Sequence, residues 1–502
     1  MRLKEFPSRE QFDGLARTCN VIPVCREILA DMETPVSLLK KCYDDGGQGP
    51  RTPIFLLESV EGGEKWGRYS FLGNSARTHV KVFADQVIIA ENGREEKIHH
   101  GGDPLSTLKT FMSRFQPAEM TALPRFWGGL VGYLNYEMVS FFERIPNRLS
   151  ADTPMAHFII CDELLIFDNI RNTMICVAIA FTDGNPDASA AYDEAMTRLD
   201  AMEQRMAASV RETAAEGIGG NPTMSPLLPA EIFRERVARV KNYIQQGDVI
   251  QAVISQPFQC SAPGDIIAVY RAQRYVNPSP YLYFFHFDEM ALVGSSPETM
   301  VRLENGVATL RPIAGTRPRG SSEQADRALA SELLADEKER AEHLMLVDLG
   351  RNDLGRIART GTVQVTDLMV VERYSHVMHL VSNINCDIED QYDAWDLLRA
   401  SFPAGTLSGA PKVRAMEIIG ELEQSPRGPY GGAVGYVSFN GNMDLAITIR
   451  TACIENGMLT VRAGAGIVAD SDPETERLET VNKAMAIQRA LELTRQRVEA
   501  TS

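Results

Sequence analysis

The stretch from Arg462 to Ala484 constrains the fold more than any other part of the chain. An apolar run leads into Gly464-Ala465-Gly466, residues small enough for a ligand to touch the backbone there. Asp472 and Pro473 then predict the start of a helix, as its N-cap and its first-turn proline. The stretch therefore predicts a strand with a ligand-accessible end, followed directly by a helix.

Two pairs of acidic residues repeat the same helical spacing. Glu476 and Glu479 lie at i and i+3 on the predicted helix, and Glu339 and Glu342 have the same spacing on another. Like charges on one helical face repel each other unless a cation lies between them or water surrounds them. An acidic first turn that complements the helix dipole would explain Glu476 but not Glu479. If the two pairs face each other, they form an oxygen-rich cage suited to Mg²⁺.

Charge and apolar patterning exclude several classes of partner. The net charge of −16 disfavours nucleic acid or an anionic membrane as a general partner, so an anionic substrate would need a metal or a placed arginine. The longest apolar stretch, Met174 to Phe181, is far too short to span a membrane, and residues 1–30 lack the pattern of a secretion signal. The eight cysteines include no Cys-x-x-Cys pair. We therefore expect a cytoplasmic protein without a disulfide framework.

The chain is long enough for two or three domains. Residues 1–205 mix helical pieces with alternating strands, an α+β pattern. A stretch rich in glycine and proline, from Val210 to Pro229, predicts a linker. We place the domain boundary there, with an N-terminal α+β domain over residues 1–225 and a second domain over residues 226–502.

Single residues in the second domain leave alternatives open. Glu298, in Gly-Ser-Ser-Pro-Glu, can cap a helix or act as an acid or base. His379, among apolar neighbours, is either a buried core residue or a cleft residue. The segment around Thr406 can be a backbone nest for a carboxylate or an ordinary helix start. Residues 348–355 predict a polar turn after the helix of Glu339.

A predicted strand from Asp444 to Thr451 carries a candidate anion-binding residue. Alternation along it puts Asp444, Thr448 and Arg450 on one face. Arg450 would then present its guanidinium either to a carboxylate in the cleft or to an internal salt bridge.

Taken together, these motifs resemble the chorismate-utilising enzymes, and within them the anthranilate synthase component I group. The resemblance runs almost continuously from Gly247 to Ala486, and before that is confined to Leu-Leu-Glu-Ser (56–59) and Gly-Arg-Tyr-Ser-Phe (67–71). It implies an α+β fold of two domains, with large antiparallel sheets and helices around an active-site cleft.

The resemblance also assigns roles to residues. It implies that Mg²⁺ is bound by Glu339, Glu342, Glu476 and Glu479 and holds the ring carboxylate of chorismate. Glu298 is the expected general acid and His379 the expected base, with Thr406 beside them. The expected substrate contacts are Tyr430, Arg450, Gly464, Gly466, Thr316, Gln251 and Lys483.

Two positions distinguish between the members of the family by the nucleophile they use. Water-adding synthases carry a lysine base where this chain has Gln251, and aminodeoxychorismate synthases carry a nucleophilic lysine where it has Ala314. Neither side chain here can do that chemistry, which leaves ammonia as the nucleophile. No Gly-x-Cys-x-Gly turn surrounds any cysteine, so we expect a hetero-oligomer in which a separate glutamine amidotransferase subunit supplies ammonia.

The resemblance further implies feedback by L-tryptophan at a separate site. Its expected residues are Glu58, Ser59, Asn277, Pro278, Ser279, Pro280 and Tyr281. Two alternative functions remain: an aminodeoxychorismate synthase component I, and a tryptophan-binding regulatory subunit without catalysis. The presence of all four acids, Arg450 and His379 argues against the second.

Overall fold

The structure, a computed structural model, describes residues 1–43, 53–59, 67–182, 188–209, 223–374 and 377–499, with side chains up to residue 494. Its strands are β1 (Arg2–Phe6), β2 (Val21–Leu29), β3 (Ile54–Glu58), β4 (Tyr69–Gly73), β5 (Thr78–Val82), β6 (Gln86–Glu91), β7 (Arg94–His99), β8 (Gly129–Leu134), β9 (Ala156–Ile160), β10 (Glu163–Asp168), β11 (Thr173–Phe181), β12 (Ser225–Pro226), β13 (Gln251–Ser261), β14 (Tyr281–Phe287), β15 (Met290–Ser296), β16 (Thr299–Glu304), β17 (Val307–Leu310), β18 (Ile313–Pro318), β19 (Gln364–Arg373), β20 (Val377–Asp387), β21 (Gly409–Ala410), β22 (Ala433–Ser438), β23 (Met443–Ile447), β24 (Thr451–Glu455) and β25 (Met458–Ile467).

Helices surround these strands. In the described part of the chain they are α1 (Arg9–Leu15), α2 (Pro35–Cys42), α3 (Pro104–Met112), α4 (Ala188–Ala207), α5 (Ala230–Gln245), α6 (Ile266–Val276), α7 (Glu323–Ala335), α8 (Glu337–Gly355), α9 (Ala394–Ser401), α10 (Gly405–Ser408), α11 (Lys412–Leu422) and α12 (Pro473–Glu499), with a 3₁₀ turn over Tyr136–Phe141. None of the helices so described is long and apolar enough to cross a membrane.

The strands form two large antiparallel sheets, which confirms the predicted α+β class. The first sheet has the order β1-β2-β11-β10-β4-β3-β14-β15-β24-β25-β13-β12, with β21 beside β13. The second has the order β18-β20-β17-β16-β23-β22-β8-β9-β5-β6-β7, with β19 beside β20. The sheets pack face to face: Phe287 of β14 meets His157 of β9 edge to face, with 5.2 Å between ring centroids.

Both sheets contain strands from both sides of the predicted boundary at residue 225. β3 pairs with β14 in the first sheet and β8 pairs with β22 in the second. The division into domains stays a prediction, and the two sequence segments meet through backbone hydrogen bonds within each sheet. Most of the predicted linker, residues 210–222, lies outside the described residues.

Two helices hold the predicted acidic pairs. Asp472 caps α12 as expected, since its Oδ1 accepts a hydrogen bond of 2.9 Å from the backbone N–H of Thr475. The prediction of a polar turn at residues 348–355 is wrong, because α8 continues to Gly355. Asp348, Arg351 and Asn352 lie on the exposed side of the helix. Leu346, Val347 and Leu354 are buried, and so is Asp353, which pairs with Lys412 at 2.6 Å.

Candidate functional site

The candidate site lies where the chain passes from one sheet to the other. Glu298 lies between β15 of the first sheet and β16 of the second, and Arg450 lies between β23 of the second and β24 of the first. The N–H of Ile447, at the end of β23, donates a 3.0 Å hydrogen bond to the carbonyl of Glu298. The two crossovers are therefore joined, and they bring an acid and a guanidinium together.

The expectation that Arg450 continues the alternation of a strand is wrong. β23 ends at Ile447 and β24 begins at Thr451, so the predicted strand is split between two sheets. Arg450 has a φ of +51°, in the left-handed region that non-glycine residues rarely adopt. As a result Arg450 and Asp444 do not share a face: Asp444 stays within the second sheet, in a different cavity.

Desolvation dominates the electrostatics of the Arg450 guanidinium. It lowers the pKa of Arg450, and the charge of Glu298 raises that pKa in part. Nη1 of Arg450 lies 3.5 Å from Oδ1 of Asn277. In the described part of the chain no carboxylate lies within 4.0 Å of the guanidinium. A desolvated cation of this kind favours binding of an anion.

Glu298 and Thr406 form a hydrogen-bonded pair. The Thr406 hydroxyl, on α10, donates to Oε2 of Glu298 at 2.9 Å. Burial raises the pKa of Glu298, and Glu342 raises it further, while Thr406, Arg450 and Lys483 lower it. A carboxyl with a raised pKa can serve as a general acid near neutral pH. A cavity of roughly 430 Å³ adjoins this pair on the side of α8.

His379, on β20, is held by the neighbouring strand β18. Its Nδ1 lies 2.9 Å from the carbonyl oxygen of Gly315 and 3.0 Å from the hydroxyl of Thr316. Because a carbonyl only accepts, Nδ1 must carry the proton, which leaves the lone pair on Nε2. Burial lowers the pKa of His379, and Arg450 lowers it further, while the hydrogen bond to Gly315 and the charge of Glu372 act in the opposite direction. His379 is 8% exposed, and its assignment as a cleft base stays a prediction.

Gly464 and Gly466 allow two large side chains to lie against β25. A Cβ atom on Gly464 would lie 2.5 Å from the hydroxyl of Tyr430, and one on Gly466 would lie 2.4 Å from Nε2 of Gln251. Tyr430 and Gln251 are both buried. The predicted substrate residues of the glycine strand are therefore brought together, as a wall formed by β13, β25 and the segment before β22.

The four predicted metal ligands lie on facing helices, two on α8 and two on α12. Burial raises the pKa of Glu342, and the charges of Glu339 and Glu479 raise it further. Burial likewise raises the pKa of Glu476, with a further increase from Glu479. The charge of Glu479 thus raises the pKa of one carboxyl group on each helix. Carboxylates that raise one another's pKa in this way fit a hard cation such as Mg²⁺.

These acids are not drawn into a tight group. Arg317 lies 3.3 Å from Glu339, and Lys483 lies 2.7 Å from Glu479 while also donating to the carbonyl of Gly464 at 2.9 Å. Among the described residues, one group of three possible ligands has its atoms within 4.8 Å of one another: His79, His157 and Asp288. In that group His79 bonds to His157 at 3.2 Å and Asp288 pairs with Lys81, so each side chain already has a partner.

A second cavity, of roughly 520 Å³ and partly open to solvent, lies between the two sheets away from Glu298. Its wall includes four residues expected at the tryptophan site: Glu58, Ser59, Pro280 and Tyr281. Asn277, Pro278 and Ser279 are not on that wall. Asn277 Nδ2 instead donates to the hydroxyl of Ser295 at 3.1 Å, and Ser295 donates to Ser279 at 2.9 Å.

The sequence reasoning missed the charged floor of this cavity. Asp444 accepts from Tyr281 at 2.9 Å, from Arg125 at 3.0 Å and lies 2.7 Å from Arg302. It also missed Tyr270, which donates to Glu58. Asp444 and Arg302 face each other across paired strands β16 and β23, a signal that strand pairing would have revealed.

Comparison with known proteins decides the family. Residues 59–489 match the family model described as chorismate binding enzyme. Anthranilate synthase component 1 of Pseudomonas aeruginosa is 46% identical over 503 residues, covering 98% of this chain and 100% of that protein. This chain belongs to the anthranilate synthase component 1 family of chorismate-binding enzymes.

Solved structures agree with this assignment. The crystal structure of anthranilate synthase component I from Streptococcus pneumoniae TIGR4 is 36% identical, with a TM-score of 0.74, and the alignment covers 86% of this chain and 95% of that one. The menaquinone-specific isochorismate synthase of Escherichia coli shares the fold at 18% identity, with a TM-score of 0.69 over 96% of this chain and 98% of that one. The anthranilate synthase component 1 fold is thus shared beyond the range of clear sequence similarity.

Proposed function

We propose that this chain is the large subunit of an anthranilate synthase, which aminates chorismate at C2 and eliminates pyruvate to give anthranilate. The observation that carries the proposal is the desolvated, partly buried guanidinium of Arg450, which has no carboxylate within 4.0 Å in the described residues. Chorismate has two carboxylates, and this site offers a place for each: Arg450 for the enolpyruvyl carboxylate and the acidic helices, with a cation, for the ring carboxylate.

Two side chains favour ammonia over other nucleophiles. Gln251 lies against Gly466 and lowers the pKa of Glu342, and as an amide it cannot deprotonate water. Ala314 directly precedes Gly315, whose carbonyl holds His379, and its methyl group cannot form a covalent intermediate. Ammonia carries its own lone pair and needs neither group. The same argument disfavours aminodeoxychorismate synthase as the function.

The two titratable groups then act in sequence. As ammonia attacks C2, both ring double bonds shift and the C4 hydroxyl leaves as water with a proton from Glu298, a carboxyl whose pKa is raised by burial. Nε2 of His379, left with a free lone pair, next removes the C2 proton. The C3–O bond then breaks, and the departing enolpyruvate takes up a proton at its methylene carbon to become pyruvate. The ring becomes aromatic, and the ammonium group at C2 loses a proton to give the amine. Thr406 orients the acid through its hydrogen bond to Glu298.

Magnesium belongs to this proposal, with Glu339, Glu342, Glu476 and Glu479 as the residues that would hold it. Bound there, Mg²⁺ would neutralise the ring carboxylate of the substrate. Lys483 bridges Glu479 and the Gly464 carbonyl, so it links the acidic helix to the glycine strand. The glutamine amidotransferase partner, the hetero-oligomer and a cytoplasmic localisation are proposed on the same basis.

The test is incubation of the purified chain with chorismate, Mg²⁺ and ammonium while anthranilate fluorescence and pyruvate are recorded. We expect anthranilate and pyruvate in equal amounts, at a rate that rises with pH because protonated ammonium has no lone pair. With partner and glutamine the rate should depend far less on pH. Release of 4-amino-4-deoxychorismate or isochorismate as the main product would refute the proposal, and the absence of any product would favour the regulatory alternative.

Feedback by tryptophan at the second cavity is also proposed. The cavity combines aromatic walls with Glu58 and the Arg302–Asp444 pair, groups suited to an amino acid with an aromatic side chain. Replacing Ser59 by Phe would fill part of it. We expect the Ser59→Phe enzyme to keep its chorismate KM and to lose inhibition by tryptophan. Unchanged inhibition would place the regulatory site elsewhere.

A further inference from the structure

One face of α6 carries polar side chains at helical spacing. Tyr270, Gln273 and Arg274 lie on this face, and Asn277 follows directly at the C-cap. Residues three and four apart are neighbours on a helix surface, so these four form one stripe. The stripe makes contacts with two different sites, one near each end.

The first turn of the stripe contacts the second cavity. The Tyr270 hydroxyl donates to Oε2 of Glu58, and Nε of Arg274 lies 3.4 Å from the same oxygen. Glu58 is 6% exposed, and its carboxylate is held by these two residues of the helix. Any ligand that binds the carboxylate of Glu58, or displaces it, therefore changes the contacts of α6.

The other end of the stripe contacts Arg450. Nε2 of Gln273 donates a 2.5 Å hydrogen bond to the carbonyl of Arg450, and the N–H of Ser295 donates to the same carbonyl at 3.3 Å. Oδ1 of Asn277 lies 3.5 Å from Nη1 of Arg450. Arg450 has a strained φ of +51°, and a conformation of this kind persists only where its surroundings hold it.

We infer that Gln273 is a positioning residue for Arg450, and that α6 couples occupancy of the second cavity to the orientation of that guanidinium. The inference rests on the proposed function, which makes Arg450 the substrate carboxylate ligand. A helix moves as one body, so a shift at Glu58 is carried to Gln273 and Asn277. A ligand in the second cavity then weakens chorismate binding. By thermodynamic linkage, chorismate weakens the binding of that ligand by the same factor.

The test compares Gln273→Leu with Tyr275→Ala in the full-length enzyme. Leucine keeps the approximate volume of glutamine but cannot donate to the Arg450 carbonyl. Tyr275 lies on the same helix and is 78% exposed, so its replacement controls for a general change in the helix. Chorismate KM and kcat are measured with ammonium, and the tryptophan dissociation constant is measured by calorimetry with and without chorismate.

For Gln273→Leu we expect an increase in chorismate KM of about three- to tenfold, with kcat changed less than about twofold, because one positioning hydrogen bond is lost. The factor by which tryptophan weakens chorismate binding should fall at least about threefold. Tyr275→Ala should match the wild type in both measurements. A simple loss of helix stability would lower the melting temperature without separating KM from kcat.

Three results would overturn the inference. Wild-type KM and wild-type coupling in Gln273→Leu would show that α6 carries no signal. The path would then be the segment that runs from Asp444 in β23 to Arg450. Equal effects in Tyr275→Ala would make the result a matter of helix stability. If the wild-type enzyme makes anthranilate but is not inhibited by tryptophan, the inferred coupling is refuted. If it makes no anthranilate, the proposed function itself is refuted.

Discussion

Replacing Arg450 by glutamine tests the central feature of the site, because it should affect stability and catalysis differently. A charge-assisted hydrogen bond contributes about 1.5–3 kcal/mol, and a guanidinium can make two to one carboxylate. Loss of both predicts about 3–6 kcal/mol, or about 150- to 25,000-fold in kcat/KM for chorismate. The loss should appear mainly in KM if Arg450 holds the carboxylate equally in the ground and transition states.

Stability, in contrast, should hardly change. The pKa of Arg450 is lowered by burial, so the free protein gains nothing from its charge. Glutamine removes that charge, which offsets the packing lost, and we expect a melting temperature within about 2 °C of the wild type. The control is Arg302→Gln: Arg302 is buried 2.7 Å from Asp444, so its loss should lower stability by about 1–3 kcal/mol.

The assay combines initial rates of anthranilate fluorescence over a range of chorismate concentrations with thermal unfolding of each variant. A normal KM for Arg450→Gln together with a large fall in melting temperature would refute the reasoning. Arg450 would then be a structural residue, and the enolpyruvyl carboxylate would have to bind elsewhere.

Three further predictions concern the same site. Glu342→Gln or Glu479→Gln should abolish Mg²⁺-dependent turnover and leave circular dichroism unchanged, since an amide cannot replace a charged ligand; near-normal rates at saturating Mg²⁺ would contradict the metal assignment. Gly464→Ala should lower kcat/KM at least about tenfold, because its Cβ would lie 2.5 Å from the Tyr430 hydroxyl. The control is Gly355→Ala, which has open space around the new Cβ and should be active and about 0.5–1 kcal/mol more stable. The hydrogen bond from Thr406 lowers the pKa of Glu298, so that pKa should rise in Thr406→Val. The alkaline limb of the kcat profile, measured with glutamine and the partner subunit, should then move to higher pH. An unmoved limb would exclude Glu298 as the general acid.

The sequence determined most of the local chemistry of this protein. Residue types and short spacings carry that information: acids three apart on a helix, glycines that admit a ligand to a strand, and a capped helix start at Asp472. The glycines at 464 and 466 could be assigned to a contact site because only a missing Cβ leaves room there. These signals depend on atoms close together in the chain, so a linear reading suffices.

Only the tertiary structure decided where Arg450 and Asp444 go. The run from Asp444 to Thr451 alternates like one strand, yet the hydrogen bond from Ile447 to Glu298 ends it, and Thr451 pairs in the other sheet. Alternation within a segment does not specify its partners, which are set by strands distant in sequence. For the same reason the contacts of α6 with Glu58 and Arg450, 212 and 177 residues away from Tyr270 and Gln273 respectively, could be found only in the folded chain.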